Sequence, residues 1–193
     1  MDLERIQSMV PVATVYTDGS CNEYRAGGWA AIILVDKRQR RRKRESTDEI
    51  VLTGNELNTT NNRMELTAVI NAIEKLPTTH KVIINTDSEY VILGASKADY
   101  WASKGWKTAQ GEPVKNQDLW ERFIKAANKH FIKTNWVKGH AGNELNERCD
   151  ELAKNARDEL KDQYTQTKPD YRSYFDFYHN KKSKYRAPKH VVF

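Results

Sequence analysis

No stretch of the chain holds the ~20 consecutive apolar residues that a membrane-spanning helix needs. Met1 to Val10 mixes acidic and basic residues and has no signal-peptide core. A soluble intracellular protein is therefore expected, cytoplasmic or, in a eukaryote, nuclear. Cysteine is scarce. The two present, Cys21 and Cys149, lie far apart and show neither CxxC nor Cys/His zinc spacing. Free thiols in a reducing compartment are the simplest reading. No internal repeat is found, which excludes repeat arrays.

What remains is a chain of 193 residues, 38% hydrophobic and 30% charged. That length is enough to bury a core, and it suggests one domain with an appendage under a heavily charged surface. The formal net charge of +6 is unevenly spread. Lys37 to Arg44 (KRQRRRKR) contributes +7, and Lys168 to Phe193 contributes +5, so the rest of the chain is net −6. Basic stretches bind polyanions. An acidic body in such a protein points to bound metal cations.

Residues 10–17 read as a strand, ending at the turn signal Asp18-Gly19. Residues 29–35 (WAAIILV) form a buried second strand, and residues 49–53 a weaker third closed by Gly54-Asn55. Short connections suggest an antiparallel meander with the basic run at the tip joining strands two and three. Residues 62–76 read as an amphipathic helix with Leu66, Val69, Ile70, Ile73 and Leu76 on one face. Thr60 or Asn61 caps it, and Pro77 stops it. Residues 81–86 form a buried strand ending at Asp87, entered by a right-handed crossover and so paired in parallel. A short helix starts at Ser88, and residues 97–115 are polar, basic and aromatic. A helix over 116–130 follows, with Leu119, Trp120, Phe123, Ile124 and Ala127 inward. A fifth strand spans 131–137, a loop 139–143, and a last helix 146–160 with opposite charges at helical spacing. Beyond Lys161 tyrosines and phenylalanines alternate with bases without a sustained period.

Four carboxylates stand where chemistry favours them: Asp18 and Asp87 at strand ends, Glu65 and Asp150 in the first turns of helices. If the first and fourth strands are parallel neighbours, Asp18 and Asp87 emerge at one sheet edge, the place where open α/β sheets put their sites. Converging carboxylates repel unless cations neutralise them, and hard oxygen donors suit Mg²⁺ or Mn²⁺. Each residue also has a plain structural reading. Asp18-Gly19 makes a turn, Asp87 caps a helix, Glu65 complements a helix dipole, and Asp150 and His140 lie on the surface.

The ordered segments YTDGSC (16–21), TTNNRMEL (59–66), NTDSEYV (85–91), GWKT (105–108), PVKNQDLW (113–120) and WVKGHAG…NERCDELA (136–153) closely resemble type 1 ribonuclease H, above all the bacterial kind. The resemblance covers about Val12 to Asp158. It implies an α/β chain with the ribonuclease H-like fold, a five-stranded mixed sheet flanked by helices. It also implies a catalytic domain over 10–160 and a basic, tyrosine-rich extension of unexplained role over 161–193. The family's metal-binding acids fall on Asp18, Glu65, Asp87 and Asp150, and its catalytic loop histidine on His140. The implied activity is endonucleolytic hydrolysis of the RNA strand of RNA–DNA hybrids by two Mg²⁺ ions, with Mn²⁺ as substitute. Products would carry 5′-phosphate and 3′-hydroxyl ends.

The resemblance further places substrate contacts on Asn22, Asn62 and Glu89 for the RNA strand and on Thr60 and Asn61 for a DNA phosphate. A basic protrusion then carries Trp101, Lys104, Trp106 and Lys107. The plain alternatives are N-capping for the threonine and asparagine and packing of the protrusion for the tryptophans. Three departures stand out. The loop after Cys21 (NEYRAGG) lacks the family's proline-containing glycine-rich stretch, which puts the placement of Asn22 in doubt. Glu89 replaces a common glutamine, and the protrusion is one residue shorter. The basic run is a solvated hairpin tip, an added hybrid-binding patch or a nuclear address. The extension wraps the body, binds nucleic acid or recruits a protein partner. A monomer is expected. The rivals are a binding module that lost activity, against which all four acids are retained, and a nuclease domain cut from a reverse transcriptase. A free-standing enzyme is expected over the latter.

Overall fold

The structure, a computed structural model, describes residues 10–37 and 46–166. Apart from Lys37, the basic run lies outside the described residues, as does the aromatic segment beyond residue 166. Five strands form one mixed sheet: β1 (Val12–Cys21), β2 (Gly27–Lys37), β3 (Ser46–Glu56), β4 (Lys81–Thr86) and β5 (Phe131–Trp136). The spatial order is β3-β2-β1-β4-β5. β1–β2 and β2–β3 pair antiparallel, whereas β1–β4 and β4–β5 pair in parallel. This is the mixed sheet expected from the sequence. The antiparallel half is the meander, and the parallel half follows from the crossover helices. Among the described residues no helix is long and apolar enough to cross a membrane.

β1 alternates: Ala13, Val15, Thr17 and Gly19 are buried and the residues between them only half so. Gly19 lies against the backbone of α1 (Asn61–Lys75), where a Cβ would come within 2.3 Å of the Glu65 amide nitrogen. On the other face Gly28 meets α5 (Glu144–Asp158), where a Cβ would sit 2.2 Å from the Ala153 carbonyl oxygen. Glycine at these two positions lets a helix close directly onto each face of the sheet. α1 contributes Leu66, Val69, Ile70, Ile73 and Leu76 to the core as the 3.6-residue period predicts. Its N-cap is Thr60, whose hydroxyl accepts the Arg63 N–H at 3.4 Å.

Four differences from the sequence reading have physical causes. β1 does not end at Asp18-Gly19. It continues to Cys21, because β2 goes on pairing with it, Asp18 opposite Ala30 and Gly19 opposite Trp29. β3 likewise runs through Gly54-Asn55, and the Trp29 ring covers the bare Gly54 across the strands. α5 starts two residues early, at an Asn143 cap whose side chain accepts the Asn146 N–H, so Asp150 stands in its second turn. The polar stretch 97–115 contains a helix of its own, α3 (Ala98–Ser103). It follows the short α2 (Glu89–Ala95), which Ser88 caps.

A second part of the core lies under the protrusion. α4 (Gln117–Ala127) buries Leu119, Trp120, Phe123 and Ala126, with Ile124 and Ala127 only partly covered. Trp120 is fully enclosed, edge-on to Trp101 and Phe123, and its indole N–H donates to the Tyr90 hydroxyl at 3.0 Å. Burying a large apolar side chain stabilises by about 1.5–3 kcal/mol, and here the polar atom is satisfied as well. The last described helix, α6 (Lys161–Gln166), follows α5 closely.

Candidate active site

The parallel pairing of β1 with β4 stops at Tyr16–Asn85, whereas β1 runs on beside β2 to Cys21. Asp18 therefore lies just past the end of β4's pairing, and Asp87 follows the last residue of β4. Glu65 reaches the same place from the second turn of α1, and Asp150 from α5. The four acids predicted from sequence are thus gathered at one sheet edge. Their electrostatics show it. Burial, then the charges of Asp87, Asp150 and Glu65, lift the Asp18 carboxyl from 3.8 to about 7, against a lowering hydrogen bond from the Gly19 N–H. That bond is 2.6 Å long. Burial likewise raises Glu65, helped by Asp87 and opposed by the Ser88 hydroxyl, which donates to Glu65 Oε2.

Among the described residues no three His, Cys, Asp or Glu side chains already close into a ligand shell. Like charges keep apart and take other partners. Glu65 takes Ser88, and Asp150 takes the Lys154 ammonium at 2.6 Å, one helical turn on. The donor set is four hard carboxylates, and Asp18 is held against ionisation by burial and by its neighbours. Such a set fits a divalent, oxygen-preferring cation of the Mg²⁺ or Mn²⁺ kind.

His140 lies on the loop before α5, in the left-handed region at φ 50°. Its side chain is 76% exposed, and its Nδ1 is 4.0 Å from Asp150 Oδ2. It belongs to the Asp150 side of the site.

The predicted substrate-binding residues fall into three groups. Thr60, Asn61 and Asn62 stand exposed at the start of α1, and Glu89 is exposed at the start of α2. Asn22 holds its own loop: its Oδ1 accepts the N–H groups of Tyr24 at 3.0 Å and Ala26 at 3.1 Å. In the protrusion, Trp101 and Trp106 are partly buried and pack against the core. Lys104 and Lys107 are exposed, Lys104 with its Nζ 5.9 Å from the centre of the Tyr100 ring.

Sequence reasoning missed five neighbours of the acids: Ser88, Trp136, Gly139, Asn146 and Lys154. A Cβ on Gly139 would lie 2.5 Å from Asp87 Oδ2. Asn146 is 2% exposed and its Nδ2 is 3.5 Å from the same oxygen. The signal for Asn146 was present. It shares the buried stripe of α5 with Cys149, Ala153 and Ala156, a polar residue on an apolar face.

The comparisons agree with this geometry. The family model for RNase H matches residues 11–158. A ribonuclease H of Granulibacter bethesdensis is 45% identical over 157 residues, covering 80% of this chain and 98% of the relative. One of Hahella chejuensis is 47% identical over 141 residues, covering 72% and 88%. The crystal structure of LC9-RNase H1, a type 1 RNase H with the type 2 active-site motif, superposes with a TM-score of 0.64 at 32% identity. It covers 77% of this chain and 72% of that one. The solution structure of the PFV RNase H domain, at 23% identity and a TM-score of 0.57, shares the fold; the match covers 78% of this chain and 96% of that one. Motifs, sheet order, clustered acids and relatives thus converge, and the chain belongs to the RNase H family, in its bacterial type 1 branch, as an endoribonuclease.

Proposed function

We propose that the chain hydrolyses the RNA strand of RNA–DNA hybrids with two divalent cations, Mg²⁺ or in its place Mn²⁺, leaving 5′-phosphate and 3′-hydroxyl ends. The observation that carries this reading is the gathering of Asp18, Glu65, Asp87 and Asp150 at one sheet edge, where burial first, and then the charges of Asp87, Asp150 and Glu65, raise Asp18 to about 7. When bound, the two ions supply Lewis acidity to an attacking water and to the leaving 3′-oxygen.

The residues divide the work. Asp18 feels the charges of all three other acids and would hold the ions together with them. Glu65 is shifted in part by Asp87, so these two form one side of the site, assigned to the leaving group. Asp150 and its neighbour His140 form the other, assigned to the nucleophile. His140, exposed on its loop, can accept a proton or assist product departure. The hybrid's RNA strand is assigned to Asn62 and Glu89, with Asn22 shaping the adjacent loop. One DNA phosphate is assigned to Thr60 and Asn61 at the α1 N-terminus, where backbone N–H groups favour an anion. Lys104 and Lys107 face the DNA backbone from the protrusion, while Trp101 and Trp106 offer their uncovered edges to its sugars. Residues 10–160 form the catalytic domain, and 161–193 are an extension to it.

The test is cleavage of an end-labelled RNA–DNA hybrid beside matched RNA–RNA and DNA–DNA duplexes, in Mg²⁺, in Mn²⁺ and in chelator. The expected result is metal-dependent cutting of the hybrid's RNA strand alone, with 3′-hydroxyl ends that a polymerase extends, abolished in Asp18→Asn. Tight binding without cutting in either metal would replace this reading with that of a hybrid-binding module.

A further inference from the structure

Asp87 is gripped from one continuous segment, the connection from β5 to α5. The Trp136 indole N–H donates to the Asp87 carbonyl oxygen at 3.2 Å. Three residues on, the bare Cα of Gly139 leaves room for Oδ2 and for no side chain. Asn146, in the first turn of α5, offers Nδ2 to that same Oδ2 at 3.5 Å. The Val137 N–H, bonded to the Thr86 carbonyl at 3.0 Å, ties the segment to the preceding residue as well.

Two features of these partners have no structural explanation. Asn146 is 2% exposed, and its Oδ1 finds no donor among the described residues. An orphaned buried carbonyl is destabilising, and an apolar side chain of the same shape would avoid it. The amide's orientation follows from chemistry: turned over, it would set Oδ1 against the Asp87 carboxylate. Trp136, in turn, is 55% exposed on an edge strand, so its ring contributes little to the core. Its one polar bond goes to Asp87.

We propose that Trp136 and Asn146 are positioning residues that hold Asp87 at two points, backbone and carboxylate, in the orientation that takes up a divalent cation. The 3.5 Å contact is long, as bonds around a reacting group often are before the site is filled. Because His140 and Asp150 follow from the same segment, the brace also sets the distance between the two sides of the site. This inference rests on the reading of Asp87 as a metal ligand. Partners that orient a ligand typically contribute 10–100-fold in metal affinity or activity.

Mn²⁺ binding is measured by calorimetry on the full chain and on Asp87→Asn, Trp136→Phe, Asn146→Ala and Asn146→Leu, with urea midpoints and hybrid-cleavage kinetics alongside. Trp136→Phe keeps an aromatic side chain and removes the indole donor. Asn146→Leu removes the orphaned carbonyl and so keeps or raises the urea midpoint. The expected result is Mn²⁺ affinity lowered about tenfold in each brace variant. Hybrid KM should stay unchanged, and the kcat deficit should close as Mn²⁺ is raised. Native Mn²⁺ affinity in Trp136→Phe and in whichever Asn146 variant folds, with Asp87→Asn impaired, overturns the brace alone. Native affinity in Asp87→Asn overturns the ligand reading beneath it. A kcat deficit that saturating Mn²⁺ leaves untouched also overturns the brace.

Discussion

Replacing Asp18 by asparagine should destroy activity and yet stabilise the metal-free protein at alkaline pH. In the folded chain the Asp18 carboxyl titrates near 7 instead of 3.8, first because it is buried and then because Asp87, Asp150 and Glu65 repel its charge. Between those two values the folded state holds a proton that the unfolded chain has released. Stability therefore falls as pH rises from about 4 through 7, which is opposite to the behaviour of a salt-bridged carboxylate. At about 1.4 kcal/mol per pH unit, the gap corresponds to at most about 4 kcal/mol. Water drawn in around the ionised group reduces this, so about 1–4 kcal/mol is expected. Asparagine carries no charge, and its Oδ1 can keep the bond from the Gly19 N–H. Thermal unfolding in chelator should then show Asp18→Asn melting roughly 3–15 °C above the wild type at pH 8, with the gap closing at pH 4. Saturating Mg²⁺ should raise the wild type more than the variant, because the cation neutralises the charge that asparagine removes. A pH-independent difference, or a variant less stable than wild type at pH 8, would refute the argument that Asp18 is held against its charge.

Other substitutions test the packing around the site. Gly94 lies within α2 against Trp120, where a Cβ would come within 2.1 Å of the ring. Gly94→Ala, normally a gain of about 0.5–1 kcal/mol inside a helix, should here cost about 1–3 kcal/mol by urea denaturation. Gly19→Ala would push α1 off β1 at Glu65, so stability and hybrid cleavage should fall together. His140→Ala should lower kcat about a hundredfold while leaving the melting temperature unchanged, since the side chain is exposed. Of the two thiols, burial raises both, and Cys149 is fully enclosed with its titration pushed up to about 12. A thiol reagent at pH 8 should therefore modify Cys21 slowly and reach Cys149 only after denaturation.

The sequence made some of this legible because periodicity records burial. Leu66 to Leu76 repeat every 3.6 residues, and the same residues line the core. The misplaced ends share one cause: they depend on a partner strand or a helix cap, which local pattern does not encode. Asp18-Gly19 has the composition of a turn, and nothing within six residues of it reveals that Ala30 and Trp29 lie opposite. Asn143 caps α5, although the helical charge pattern becomes clear only from Asn146. The protrusion was opaque for another reason. Its helix is short and half exposed, and Trp101 packs edge-on against Trp120, nineteen positions away in the chain. At the site, ligand types were readable from motifs. Of their partners, only Asn146 left a trace, as a polar residue on an apolar helix face; Ser88 and Trp136 meet the acids only through the fold.

The position of the site follows from an inequality between the two neighbours of β1. On one side β2 accompanies β1 to Cys21; on the other β4 stops pairing at Asn85, opposite Tyr16. The last part of β1 is thus held straight along one edge and open along the other. Asp18 falls within this part, so its backbone is fixed by the ladder to Ala30 while its surroundings stay accessible from the β4 side. Asp87 emerges where β4 gives out, and His140, on the β5–α5 connection, lies 4.0 Å from Asp150 of α5. Had β1 ended at Gly19 as its composition suggested, Asp18 would sit on a frayed strand end, with nothing to hold one carboxylate against three others. The extra pairing fixes Asp18 in a buried position beside three other acids, whose charges add to burial in raising its titration to about 7.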